Sequence, residues 1–367
     1  MYYALGIFAF TSLLYWCYRK FRQAPYKPGM VRDEAAKNDG FDDASLHDTN
    51  KTSKDNKWMM PNNVELFFFP PLNASSNHSP ILAIHGGPAI APSQPWKIAS
   101  DSDLANLYLY HARGCGHSTR IHRKFPSPGM WPGIKIIEQD LGIGAQVGDV
   151  ERVRRRLGVE KMDLVGHSFG GLLATLYAAE FPEHVRSLTL LVPAAVLELP
   201  SKDGDLFSMV KDKLKERGNQ EHVQEFEDFM KVYMDFGSLP KETDETLALR
   251  QAGFAKHYYR AVDTSNEKEP VDPKLIGGFA CYATFLSMGM EHNWIPDLKE
   301  RFSGTTFPVS IVHGAKDFLP ESTSRNYETL FSTKDQVEFY TVEDGDHDLF
   351  DFPEVGEIVK KTTGRAI

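Results

Sequence analysis

The sequence predicts an α/β fold: a mostly parallel central sheet with helices on both faces and an inserted helical cap. Three observations carry this. Short apolar runs alternate with segments of helical spacing through most of the chain. A Gly-x-Ser-x-Gly pentapeptide, Gly166 to Gly170, stands between an apolar run and a helix rich in small residues. From about Lys202 to Asn293 the strand rhythm stops, and amphipathic helical patterns follow one another.

Taken in order, Val64–Phe69 has the pattern of a strand, and Ile81–Ile84 is a short apolar run leading into Gly86-Gly87-Pro88. Leu104–His111 is expected to be another strand, ending in Arg113-Gly114-Cys115-Gly116. Glu138–Leu157 has helical spacing, with Leu141, Ile143, Val147, Val150 and Val153 on one face. Met162–Val165 predicts a buried strand, Phe169–Phe181 a helix stopped by Pro182, and Ser187–Val192 a strand. Leu206–Arg217, His222–Phe236 and Thr246–Val262 predict cap helices. Phe307–Val312 and Val337–Val342 restore the strands, and Val355–Lys361 closes the fold as a helix.

A chain of 367 residues suits one such core with an insertion and a tail. The expected division is an anchor at 1–18, a flexible linker at 19–60, core at 61–198, cap at 199–300 and core again at 301–367. A net charge of −9 argues against nucleic acid as a partner. Cys17, Cys115 and Cys281 are too far apart for metal-ligand spacing, and their odd number does not suggest a disulfide framework. No metal or organic cofactor is expected.

The N-terminus differs from the body. Tyr2–Tyr18 carries no charge and is followed by Arg19, Lys20 and Arg22. As a helix it would span roughly 26 Å, close to a hydrocarbon core. No Lys or Arg precedes it, so an uncleaved anchor with a cytosolic body is expected rather than a signal peptide. Three sequons, at Asn50, Asn73 and Asn77, favour the alternative of a lumenal body. Pro28 to Lys57 is polar and poor in large apolar groups, which predicts a flexible tether.

The chemistry centres on Ser168. A serine hydroxyl is a poor nucleophile near neutral pH and needs a base, itself oriented by an acid. The flanking Gly166 and Gly170 permit a tight turn with no room for a Cβ, so the pentapeptide reads as a nucleophile elbow of the α/β-hydrolase fold. The duller alternative is a glycine-rich helix start with a capping serine. In this fold the chain order is Ser, acid, His. Asp317 follows the strand that ends at His313, and His347 follows the strand Val337–Val342, so both reach the sheet edge where Ser168 lies. His313 stands too close to Asp317, His257 and His292 fall in the cap, and Asp344, Asp346 and Asp348 are weaker candidates than Asp317. The backbone N–H of Phe169, after the nucleophile, and one from the loop His85-Gly86-Gly87-Pro88 are the expected oxyanion donors. That loop is also a turn signal in its own right.

Together, His85-Gly-Gly-Pro88, Arg113-Gly-Cys-Gly-His-Ser118, the Ser168 elbow, Gly314-x-x-Asp317 and His347 resemble the proline iminopeptidase family of serine hydrolases, from about Asn62 to the C-terminus. The resemblance implies release of an N-terminal residue through an acyl-enzyme, Gly87 and Phe169 as oxyanion donors, and cap acids that hold the substrate's α-ammonium. Glu221, Glu225, Glu227, Asp228 and Glu291 are available for that last role, which the resemblance assigns to none of them singly, and most of them read as a solvated helix face. Two departures stand out: Ala89 where the family has Gly, and His167 and Phe169 flanking the serine where it has Gly and Trp.

The leading expectation is thus an aminopeptidase-like serine hydrolase taking small peptides. A carboxylic-ester or acyl-lipid hydrolase held on a membrane by the N-terminus is the second expectation. A binding protein that kept the fold without catalysis is the third. Nothing in the sequence bears on oligomeric state.

Overall fold

The computed structural model describes residues 25–32, 52–53, 55–72, 78–104, 106–202, 204–262 and 271–365. Its strands are β1 (Thr52–Ser53), β2 (Lys57–Met60), β3 (Val64–Phe69), β4 (Ile81–Ile84), β5 (Leu107–Tyr110), β6 (Met162–His167), β7 (Val185–Leu191), β8 (Glu198–Leu199), β9 (His292–Asn293), β10 (Val309–Gly314) and β11 (Val337–Val342). Among the described residues, nine of them form one sheet in the order β1-β2-β3-β5-β4-β6-β7-β10-β11. From β5 to β11 every neighbouring pair is parallel, and β1, β2 and β3 join antiparallel at one side.

The helices are α1 (Met130–Leu141), α2 (Ile143–Arg156), α3 (Phe169–Glu180), α4 (Leu206–Glu216), α5 (Gln220–Tyr233), α6 (Asp244–Val262), α7 (Gly278–Met288), α8 (Ile295–Arg301), α9 (Glu321–Glu328) and α10 (Pro353–Thr362). Alternation along the inner strands explains the two-sided core. Leu82, Ile84, Leu164, Leu188 and Ile311 pack to one face with α2 and α3, whereas Ile81, Ala83, Val165 and Val312 pack to the other with Val355 and Val359 of α10. All twelve residues of α3 are buried, as expected of a helix that is small and apolar on every side until Glu180 at its end.

β4 lies between β5 and β6, so the chain leaves it toward one side and returns on the other. The loops after β4 and β6 therefore meet at the C-terminal edge of the sheet, the crevice in which such sheets bind ligands. Helices α4 to α7 lie between β8 and β9, and the two short strands pair antiparallel, closing the base of the helical stretch.

Several expectations need correction. The helix expected over Glu138–Leu157 is two helices, because the backbone is extended at Gly142. There the Ile143 N–H donates to Ser287 Oγ at 3.1 Å, and the Ser287 hydroxyl also contacts Glu138 at 3.1 Å, so a side chain from α7 caps α2. The strand expected from Leu104 begins at Leu107, since Leu104 closes a short 3-10 turn. The flexible linker expected over 19–60 is not flexible throughout. Lys57–Met60 is a strand paired with β3, its Trp58 stacked on Phe68 at 4.1 Å, and Tyr26 at the other end is wholly buried.

The membrane-anchored localisation is also corrected: among the described residues no helix is long and apolar enough to cross a membrane. Tyr2–Tyr18, on which that expectation stood, lies outside the described residues, as do Cys17 and the three sequon asparagines.

One buried ion pair ties the loop after β5 to this framework. Arg113 reaches Asp149 of α2 with two N–H groups, at 2.6 and 2.5 Å, and the Asp140 carbonyl with a third at 2.6 Å. Both side chains are nearly inaccessible to solvent. Losing one partner strands the other charge in the interior, so Asp149→Ala is expected to cost about 3–5 kcal/mol. In thermal unfolding this appears as a fall of about 1–2 °C per kcal/mol for a chain of this length. An unchanged melting temperature would show the pair to be dispensable.

Candidate active site

β6 ends at His167, and Ser168 turns the chain into α3 with φ 52° and ψ −120°. This is left-handed backbone for a residue with a Cβ, a strain of about 1–3 kcal/mol that the surroundings must hold. They do so from both sides. The Ser168 N–H donates to the Leu191 carbonyl of β7 at 2.9 Å, and its carbonyl accepts from Gly171 at 2.9 Å. A Cβ at Gly170 would overlap the Ile84 carbonyl of β4, and one at Gly166 would overlap the Gly170 carbonyl. Both glycines are required by close backbone approach.

The two residues expected to work with Ser168 are brought to it. His347 Nε2 lies 3.1 Å from Ser168 Oγ, and His347 Nδ1 lies 2.8 Å from Asp317 Oδ2. An ionised carboxylate only accepts, so Nδ1 carries the proton and Nε2 is left to accept the serine hydroxyl. The Asp317 side chain is fully buried, with its other oxygen accepting the Leu319 N–H at 2.9 Å. The loops bearing the acid and the histidine are zipped together: Lys316 N–H donates to the Gly345 carbonyl at 2.8 Å, and Ala315 N–H to the Val342 carbonyl at 2.9 Å.

Charge sets the titration of this pair. Burial alone would lower the His347 pKa. The opposing charge and hydrogen bond of Asp317, with Asp348 and Asp346 nearby, outweigh it and raise the pKa above its ordinary value. Burial would raise the pKa of Asp317, and the facing imidazole with the Leu319 N–H outweighs it and lowers it. Two rivals lie elsewhere: the acid Asp344 pairs with Lys316 on the surface, and the His313 imidazole contacts Ser324 Oγ through Nδ1 at 3.0 Å.

The loop after β4 lies against Ser168, where a Cβ on Gly86 would sit 3.0 Å from the Ser168 Cβ. Gly87 has φ 132°, a conformation closed to other residues, and Ala89 has φ 54°. The left-handed backbone at residue 89 gives the family's glycine its physical reason, and alanine there carries about 1–2 kcal/mol of strain. His85 underpins the loop: Nδ1–H donates to the Gly86 carbonyl at 2.8 Å, and Nε2 accepts the Ala112 N–H at 3.1 Å. Burial pushes its pKa down to about 4, so the ring is neutral and this tautomer is fixed.

One contributor was visible in sequence only as a departure. His167 is buried, and its Nε2–H donates to the backbone carbonyl of His347 at 2.7 Å, joining the elbow to the histidine loop. Its ring meets Trp96 and Phe350 edge-on, and burial lowers its pKa to about 4.

Above these residues opens a cavity of about 1760 Å³ that Ser168, His347 and Gly86 to Pro88 line. Helices α4 to α7 contribute Leu206, Phe207, Tyr233, Gln251, Phe254, Ala255, Tyr258, Tyr259, Phe285, Leu286 and Met288, none of them charged. The five acids available for an ammonium do not line this cavity. Glu225 pairs with Arg260, Glu227 with Lys211 and Asp228 with Lys231, while Glu221 and Glu291 are exposed and outside the cavity wall. A cap helix offers its charged side to water unless a partner compensates, and here the apolar side faces the cavity.

Comparison with known proteins agrees with this geometry. The family described as alpha/beta hydrolase fold matches residues 79–354. The chain is 25% identical over 278 residues to abhydrolase domain-containing protein abhd-5.2 of Caenorhabditis elegans, covering 74% of this chain and 55% of that protein, little more than half its length. It is 25% identical over 254 residues to a proline iminopeptidase of Lactobacillus delbrueckii subsp. bulgaricus, covering 66% of this chain and 76% of the relative. The solved proline iminopeptidase of Mycobacterium smegmatis superposes with a TM-score of 0.57 at 18% identity, over 84% of this chain and 97% of that one, a likeness of fold. The match over most of the sequence shows that the chain belongs to the α/β-hydrolase fold family, where it resembles proline iminopeptidases.

Proposed function

We propose that the protein is a serine hydrolase that cleaves carboxylic esters with a bulky apolar acyl group, through an acyl-enzyme. The observation that carries the reading is the wall of the cavity over Ser168: aromatic and aliphatic side chains from every cap helix, and no carboxylate from any of them. Such a wall stabilises an acyl chain by about 0.8 kcal/mol per buried methylene, and the carboxylates that do line the cavity, Glu138 of α1 with Asp205, Asp235, Asp272 and Asp348, come from outside α4 to α7.

In this reading Ser168 Oγ attacks the ester carbonyl while His347 takes its proton. Gly87 and Phe169 N–H groups receive the developing oxyanion, and losing one such donor costs about 3 kcal/mol of barrier. His347 then hands the proton to the departing alcohol, and a water activated by the same ring releases the acid. Asp317 keeps His347 in the working tautomer and His167 holds its backbone.

A second reading, an aminopeptidase, draws on the proline iminopeptidase relatives and on Asp235, which lines the same cavity. Asp205 and Asp272 line it too, but each already accepts a backbone N–H at the start of its own helical turn.

A substrate panel separates the two. p-Nitrophenyl esters from acetate to decanoate should be cleaved, with kcat/KM rising about fourfold per methylene until the cavity is filled. Hydrolysis of prolyl or leucyl anilides with a strict need for a free amine, and none of the esters, would overturn the ester reading in favour of the aminopeptidase.

A further inference from the structure

We propose that residues 25–32 form a strap that completes the substrate cavity, and that Pro25 on it is a specificity-determining residue for the length of the acyl group. The inference rests on the ester reading above and deepens it.

The strap lies outside residues 79–354, so it is an addition to the part of the chain that matches the family. It is nevertheless built in. Glu180, fully buried at the C-terminal end of α3, gathers four donors from it. The Tyr26 hydroxyl reaches Glu180 Oε1 at 3.0 Å, as do the Gly29 N–H at 2.7 Å and the Val31 N–H at 3.4 Å. The Arg32 N–H reaches Oε2 at 3.0 Å. A buried carboxylate needs such donors, and the strap supplies them. Its other contacts fix direction. The Tyr26 N–H donates to the Ser287 carbonyl on α7 at 3.2 Å, and the Tyr26 ring meets Trp294 edge-on at 5.5 Å. The Arg32 guanidinium spans the Glu180 carbonyl at 3.0 Å and the Glu183 carboxylate at 2.8 Å.

One helix thus carries the nucleophile turn at its N-terminal end and the strap at its C-terminal end. So held, the strap brings Pro25 into the lining of the cavity that Ser168 also lines, with Leu286 and Met288 of α7. Pro25 is exposed, with one side to solvent, as a residue at the mouth would be. A long acyl chain leaving Ser168 meets this lining, whereas an acetyl group does not extend that far.

The test uses the full chain with Pro25→Trp and Glu180→Gln, and p-nitrophenyl acetate and decanoate as probes. The readout is the ratio of kcat/KM for decanoate to that for acetate, in which changes common to both esters cancel. Pro25→Trp narrows the mouth and should lower that ratio at least about tenfold, the discrimination that a few methylenes carry in an apolar pocket. Glu180→Gln turns one acceptor oxygen into an N–H donor facing the strap and should lower the ratio in the same direction, through KM for decanoate. If Glu180→Gln does not fold, Pro25→Trp, at an exposed position, decides alone. Cleavage of both esters by the unaltered protein, with the ratio unmoved in folded Pro25→Trp, would overturn the strap inference and leave the ester reading standing. An unaltered protein that cleaves neither ester would overturn both.

Discussion

Ser168→Ala is expected to lower kcat by about six orders of magnitude, the scale seen when the serine nucleophile of a triad hydrolase is removed. The hydroxyl is the only atom lost. Its neighbours explain why so much hangs on it: His347 Nε2 stands 3.1 Å away, ready to take the proton. Nothing else in the substitution disturbs the fold. Alanine occupies left-handed backbone at a cost like that of serine, and the Ser168 N–H and carbonyl keep their bonds to Leu191 and Gly171. Steady-state kinetics with the decanoate ester checks the first claim and thermal unfolding the second. Turnover within a hundredfold of the unaltered protein would remove Ser168 from the reaction.

Asp317→Asn is expected to lower kcat by about four orders of magnitude, through the tautomer of its partner rather than through any loss of contact. Asparagine can present an N–H where the carboxylate accepted. His347 then accepts at Nδ1, carries its proton on Nε2, and points a donor at a serine hydroxyl that needs an acceptor. The same change moves the pH profile. His347 must be neutral to act as base, and its pKa is raised chiefly because the Asp317 charge outweighs burial. In the unaltered protein the activity should therefore fall as pH drops through a value above the ordinary histidine pKa of about 6.5. Without the charge, burial remains and the limb should shift to lower pH. A profile of kcat/KM against pH for both proteins reads this directly, and an unmoved limb would mean that Asp317 does not face the base in solution.

How much of this was legible beforehand follows from how local each signal is. The elbow was legible because strand, glycines and helix lie within about twenty residues, and Gly170 shows why, its position pressed against the Ile84 carbonyl. Asp317 and His347 were legible because each follows a parallel strand, and parallel strands deliver their loops to one edge. The strap was not. It is short and runs into the polar stretch from Pro28 to Lys57 that reads as a tether, and what orders it is Glu180, far along the chain. The break at Gly142 was hidden for the same reason, since the hydroxyl that caps α2 comes from Ser287. That the cap acids form mostly a solvated face was legible, because charge in an amphipathic helix marks the side that faces water. Here Glu225 and Glu227 meet Arg260 and Lys211 on that side, and Phe254 and Tyr258 line the other.

Covalent labelling tests the central claim without assuming a substrate. An alkyl fluorophosphonate reacts with a serine hydroxyl that an imidazole has activated. The expected result is one adduct per folded chain, on the peptide that contains Ser168, formed more slowly as pH falls through the His347 pKa. A folded chain that takes up no adduct, or takes it at another residue, would contradict the account.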